Sequence, residues 1–115
     1  MKKDYGRYLR KDEHKALKSF IKGVKSLLGN NLVSIELFGS KARGGFDEES
    51  DLDVLIVLCG RDWATSHRIS IIATEINLEY DCNISPVIYT QAEYQKNQQF
   101  NTLFIQNLKK EAIAL

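Results

Sequence analysis

Residues 37–58, Leu-Phe-Gly-Ser-Lys-Ala-Arg-Gly-Gly-Phe-Asp-Glu-Glu-Ser-Asp-Leu-Asp-Val-Leu-Ile-Val-Leu, leave this chain few folds to choose from. An apolar run ends at Phe38, a glycine-rich segment follows, and a second apolar run opens with Asp51 and Asp53. Glycine takes backbone angles closed to other residues and lets the main chain approach a ligand closely. A turn at Gly39 and Ser40 can therefore aim successive N–H groups at an anion, and Ser40, Lys41 and Arg43 add a hydroxyl and two positive charges. On a strand, residues two apart point to the same face, so Asp51 and Asp53 project together toward one cation. Paired carboxylates that leave coordination sites open suit Mg²⁺ carrying nucleotide phosphates. A phosphate-gripping turn beside a metal-holding strand is the minimum apparatus of phosphoryl or nucleotidyl transfer, in which catalysis is mostly positioning and charge neutralisation.

Each of these residues also has a plainer use. Gly39 can be a turn glycine and Ser40 a helix cap. The two aspartates can be strand-end charges, and Arg43 can pair with Asp47, Glu48 or Glu49. The ordered combination favours the ligand-binding reading, because two acids placed together at a strand entry repel each other unless a cation offsets them.

The rest of the chain supplies a scaffold for that stretch. Apolar residues at 16, 17, 20, 21, 24, 27 and 28 recur at helical spacing, with Asp12 as the expected N-cap and Gly29 and Asn30 as the stop. A strand over 32–38 would turn Val33, Ile35 and Leu37 toward the helices and leave Ser34, Glu36 and Phe38 on the open face. A strand over 52–58, apolar on both faces, belongs at the centre of the sheet. A helix from Trp63 to about Tyr80 is expected to cross over to a third strand at 84–89. Pro86 confines that strand to an edge. Thr90 with Glu93 reads as a capping box for a helix to about Gln98, and a short helix follows over 102–110. Residues 112–115 either add an edge strand or pack, and residues 1–11 read as a loose arm. The expectation is one α/β (α+β) domain over 1–115, a small mixed β-sheet with helices packed on one face.

Composition closes off other classes. A chain of 115 residues is one domain by default, and a net charge of +1 argues against bulk capture of nucleic acid. Cys59 and Cys82 are too few for a zinc site; both read as reduced, buried residues, consistent with a cytoplasmic protein. No stretch reaches the ~20 apolar residues of a membrane span, so no membrane association is expected.

Gly39-Ser40-Lys41-Ala42-Arg43-Gly44 followed by Ser50-Asp51-Leu52-Asp53 resembles the signature of the DNA polymerase β-type nucleotidyltransferase superfamily. In particular it resembles the minimal nucleotidyltransferases, small prokaryotic proteins often paired with a HEPN-domain partner in toxin–antitoxin modules. The resemblance spans roughly residues 12–115 and includes the ending Asn107-Leu-Lys-Lys-Glu-Ala-Ile-Ala-Leu. It implies a palm-like nucleotidyltransferase fold, with Asp51 and Asp53 as catalytic metal ligands for one or two Mg²⁺ ions. It implies Gly39, Ser40, Arg43 and Lys41 as nucleotide contacts and ATP as the substrate. The acceptor would be a hydroxyl on a helical HEPN-type partner, and the chain itself can form a homo-oligomer. Active members of the superfamily usually add a third carboxylate on the later strand. Here Cys82-Asn-Ile-Ser-Pro-Val-Ile-Tyr-Thr holds none, Ser85 or Val87 stands in its place, and Glu36 is the one substitute on the first strand. Two functions follow from different classes. One is an enzyme that moves AMP to a partner protein; the other is a catalytically weakened, nucleotide-binding antitoxin that neutralises its partner by contact. Transfer to a small molecule or an RNA end is a weaker third.

Overall fold

The structure, a computed structural model, describes residues 9–43, 51–60 and 62–115. Of the loose arm expected over residues 1–11, residues 1–8 lie outside the described residues, as does segment 44–50, whereas Leu9 packs on the core and Lys11 already begins the first helix. A four-stranded sheet runs in the order β3-β2-β1-β4. β1 (Leu32–Phe38) lies antiparallel to β2 (Leu52–Leu58). β2 lies parallel to β3 (Ile84–Thr90), and the two-residue β4 (Ile113–Ala114) lines the outer edge of β1. Pro86 is on edge strand β3, as the missing N–H requires. Residues 112–115 add the edge strand rather than merely packing.

The 18-residue helix α1 (Lys11–Leu28) buries Ala16, Leu17, Phe20, Val24 and Leu28 on the sheet. Its N-cap is Arg10 rather than Asp12, because the Glu13 carboxylate reaches back to accept the Arg10 backbone N–H at 3.0 Å. α1 packs beside α3 (Trp63–Tyr80), the expected crossover helix, whose N-cap Asp62 accepts the Thr65 N–H at 2.7 Å. Gly23 permits this approach, since a Cβ there would sit 3.3 Å from Ile72 Cγ2. The β-branched run in α3 costs a few tenths of a kcal/mol per residue of helix propensity, and burial of Ile69, Ala73 and Ile76 against the sheet outweighs it. At the far end, the Asn77 side chain brackets the Ile84 backbone, accepting its N–H at 2.7 Å and donating to its carbonyl at 3.1 Å.

The strands alternate between two apolar clusters. Val54, Ile56 and Leu58, with Ile35 and Leu37, face α1 and α3. Leu55 and Val57 face the other way and are covered by Ile105 and Leu108 of α5 (Leu103–Glu111). Phe104 adds edge-to-face contacts with Phe38 and Tyr89, ring centroids 5.5 and 5.7 Å apart. The mixed sheet is as expected, and the two long helices do share one face, but α5 covers part of the other. The second face is thus partly covered, and Asp53, on that face, is half-buried.

Smaller expectations are also revised. A bulge between Leu32 and Ser34 takes Val33 out of the alternation and exposes it. The Thr90–Glu93 box forms in both directions, at 3.1 and 2.9 Å, and α4 (Gln91–Phe100) runs two residues past Gln98. Cys82 is buried but Cys59, just past β2, is exposed. Among the described residues no helix is long and apolar enough to cross a membrane.

Candidate nucleotide site

The site forms where β1 ends and β2 begins. β1 runs out at Phe38, which pairs with Asp53, and the next residue turns the chain. Gly39 has φ +79°, in the left-handed region that favours glycine. Its carbonyl accepts the Ala42 N–H at 3.1 Å, closing the single turn of α2 (Ser40–Arg43). A Cβ on Gly39 would lie 2.4 Å from Asp53 Oδ2. Two constraints therefore meet at one residue: the turn needs a positive φ, and the aspartate needs the space of a side chain.

Asp51 immediately precedes β2 and is exposed; Asp53 is the second residue of the strand and half-buried. Strand alternation turns Asp53 to the face on which α5 packs. The entry of β2 is fixed from outside the strand, since Leu52 N–H donates to the Asn83 carbonyl at 2.8 Å. Hard oxygen donors, one of them open to solvent, fit Mg²⁺, which binds one or two carboxylates and keeps several waters. Gly39, set against Asp53, forms a wall without a side chain, which leaves room for a ligand to approach the backbone.

Ser40 and Arg43 lie in α2, a single helical turn where the sequence suggests a loop; the roles read for their side chains lie outside the described residues. Lys41 is placed otherwise than the sequence reading expects. Its side chain has no solvent exposure, and its ammonium lies 3.0 Å from Glu13 Oε2 of α1. A second contact to Glu13 Oε1 measures 3.1 Å. An ammonium buried on a carboxylate is not presented to a phosphate arriving from solvent, so this placement gives Lys41 a structural task. The pair ties α2, the turn beside the aspartates, to the first turn of α1.

The register decides between the two residues read as replacing the third carboxylate. Ser85 pairs with Asp53 across the parallel β2–β3 ladder, whereas Val87 pairs with Leu55 and joins the small cluster under α5. A hydroxyl therefore stands beside Asp53. Glu36 pairs with Leu55 on one side and Ala114 on the other, on the same face as Asp53 and one diagonal step from it across the ladder. Burial pushes its carboxyl above the ordinary value, and Tyr94 is likewise raised, by burial first and by the Glu36 charge second. Among the described residues no group of three His, Cys, Asp or Glu side chains comes together as a metal site.

Two contacts escape the sequence reading. Gly39 N–H donates to Glu111 Oε1, 72 residues away, at 3.2 Å; no local pattern announces it. Glu13 does leave a signal: it occupies the position four before Leu17, where the apolar stripe of α1 continues, and a charge on a buried stripe implies a buried partner.

A mixed sheet with helices on it and a glycine turn set against Asp53 has the fold of the nucleotidyltransferase class. The family model described as nucleotidyltransferase domain matches residues 17–115, and the chain belongs to that family. Two relatives from Methanocaldococcus jannaschii are named as protein adenylyltransferases. One is 35% identical over 104 residues, 90% of this chain and 98% of the relative. The other is 43% identical over 76 residues, 64% of this chain and 75% of the relative. Two crystal structures share the fold: the toxin–antitoxin MntA–HpeT in mutant form, and a toxin–antitoxin with AMP-PNP. The first has a TM-score of 0.55 at 16% identity, covering 86% of this chain and 70% of that one. The second has a TM-score of 0.54 at 18% identity, covering 83% and 68%. The chain is thus a minimal nucleotidyltransferase.

Proposed function

We propose that this protein binds ATP with Mg²⁺ and transfers AMP to a hydroxyl of a partner protein, a helical HEPN-type toxin that the modification silences. The observation that carries this reading is that Asp53 Oδ2 fills the place a side chain on Gly39 would need, which sets the turn read as phosphate-binding against the strand read as metal-holding. The names of the relatives support a protein acceptor, and the fold neighbours support a toxin partner. Asp51 and Asp53 would hold Mg²⁺, which neutralises charge on the phosphates when bound. The turn at Gly39 and Ser40, with Arg43, would hold the β- and γ-phosphates. The acceptor oxygen attacks the α-phosphorus, the bond from the α-phosphorus to the bridging oxygen breaks, and pyrophosphate leaves. The hydroxyl proton passes to water, since Ser85 offers no carboxylate beside Asp53.

Ser85 also favours a second reading. A missing general base costs roughly 10²–10⁴-fold in rate, which leaves a nucleotide-binding antitoxin that acts by stoichiometric contact. Titration calorimetry addresses the shared first step. ATP is expected to bind with Mg²⁺ present and to lose at least tenfold in affinity with EDTA, or in the Asp51→Asn, Asp53→Asn variant, on the order of one charged contact. Binding that ignores both treatments contradicts the metal assignment. The same variant, tested for neutralising the toxin, separates the readings: an enzyme loses the effect and a binder keeps it.

A further inference from the structure

We propose that Glu111 is a positioning residue of the nucleotide site: its carboxylate holds the glycine turn against Asp53 from the C-terminal end of the chain. This rests on the nucleotide-binding reading of that turn. The β1–β4 ladder pairs Glu36 with Ala114 and Leu37 with Ile113, and Leu115 N–H donates to the Ile35 carbonyl at 3.0 Å. Continued by two residues, this register sets Gly39 opposite Glu111. Main-chain pairing does not continue there, because Glu111 is still in α5 and its backbone follows the helix instead of the strand. The Gly39 N–H, which faces the β4 edge, would lose its ladder partner. Glu111 Oε1 accepts it instead, at 3.2 Å.

The side chain therefore completes the ladder at the one residue where strand becomes turn. Gly39 is then bounded on two sides. Its N–H is fixed by Glu111, and the space that a Cβ would need is taken by Asp53 Oδ2. A hydrogen bond to an ionised acceptor contributes about 1.5–3 kcal/mol, enough to set which of two turn geometries is populated. The role needs an acceptor at the right reach and does not need the charge to meet the substrate. It also makes α5 and β4 part of the nucleotide site, although neither carries a residue of the glycine-serine or aspartate motifs.

Reach and charge are separated by two conservative variants, E111D and E111Q. Asp keeps the charge but is one methylene short; Gln keeps the reach and a carbonyl acceptor without the charge. Affinity for ATP with Mg²⁺ is measured by calorimetry, and exchange of the Gly39 amide by NMR. E111D is expected to bind at least tenfold more weakly, the equivalent of the lost hydrogen bond, and to exchange the Gly39 amide faster. E111Q is expected to restore affinity to within about threefold and to keep the amide protected. The reverse order, with E111D near wild type and E111Q weak, overturns the proposal in favour of a role for the charge. Equal affinity in wild type and both variants overturns it outright. If wild type binds no ATP while E111D still loosens the Gly39 amide, the nucleotide reading has failed rather than the bracket, and the positioning role falls with it.

Discussion

Gly39→Ala is expected to abolish detectable nucleotidyl transfer while the fold survives. Two costs add at this position. An L-residue at φ +79° is strained by about 1–2 kcal/mol, which a folded domain tolerates. The added methyl would stand 2.4 Å from Asp53 Oδ2, so either the carboxylate rotates away or the turn lifts off the strand. Each outcome separates the phosphate turn from the metal ligand. A misplacement of about 1 Å at a reacting centre costs on the order of 10²-fold in rate, and a displaced metal ligand should weaken binding of ATP with Mg²⁺ as well. Gly60→Ala is the matching control, since nothing lies within 4 Å of a Cβ there. Binding titrations on the two variants should differ by at least an order of magnitude, with the melting temperature of Gly39→Ala lower by about 5–10 °C. A Gly39→Ala protein that binds ATP as tightly as wild type contradicts the packing of turn on aspartate.

Glu13→Ala should produce the largest loss of stability. The Lys41 side chain is fully buried and that of Glu13 is 3% exposed, with the ion pair at 3.0 Å. Removing one member of such a pair leaves a buried charge and typically costs 3–5 kcal/mol, a large share of the 5–15 kcal/mol that hold a domain of this size. Urea titrations should show the midpoint falling sharply at unchanged slope. The double variant Glu13→Leu, Lys41→Met should recover most of the loss, because an apolar pair of similar volume avoids desolvating two charges. Since α2 hangs from this pair, the single variant should also bind ATP more weakly at temperatures where it is folded. A midpoint within about 0.5 kcal/mol of wild type would show that Lys41 finds another partner.

How much of this was legible in the sequence follows from the range of each interaction. The helices and strands announced themselves through local periodicity. The edge position of β3 followed from one proline, and α4 began where Thr90 and Glu93 promised. The two aspartates and Gly39 are close in sequence, so their juxtaposition needed only one strand–turn–strand unit. Lys41 was misread because its charge matched a phosphate as well as a carboxylate. Only the packing of α1 on the sheet brings Glu13 beneath it. The choice of Ser85 over Val87 depended on a parallel register set by α3, which no local pattern specifies. The roof formed by α5 and the Glu111 contact required the chain to return across 72 residues. Trp63, the first residue of α3, is 90% exposed and has no place in this chain's core.

The central claim is that Asp51, Asp53 and the turn at Gly39 transfer a nucleotide to a protein hydroxyl. The most direct measurement incubates the protein with ATP labelled at the α-phosphate and Mg²⁺ in lysate of its own host, beside the Asp51→Asn, Asp53→Asn variant. The account predicts a protein band that carries the label with wild type, is absent with the variant, and is not labelled when the γ-phosphate carries the isotope. No labelled protein from a preparation shown to bind ATP, or a band equally strong with the variant, would contradict it.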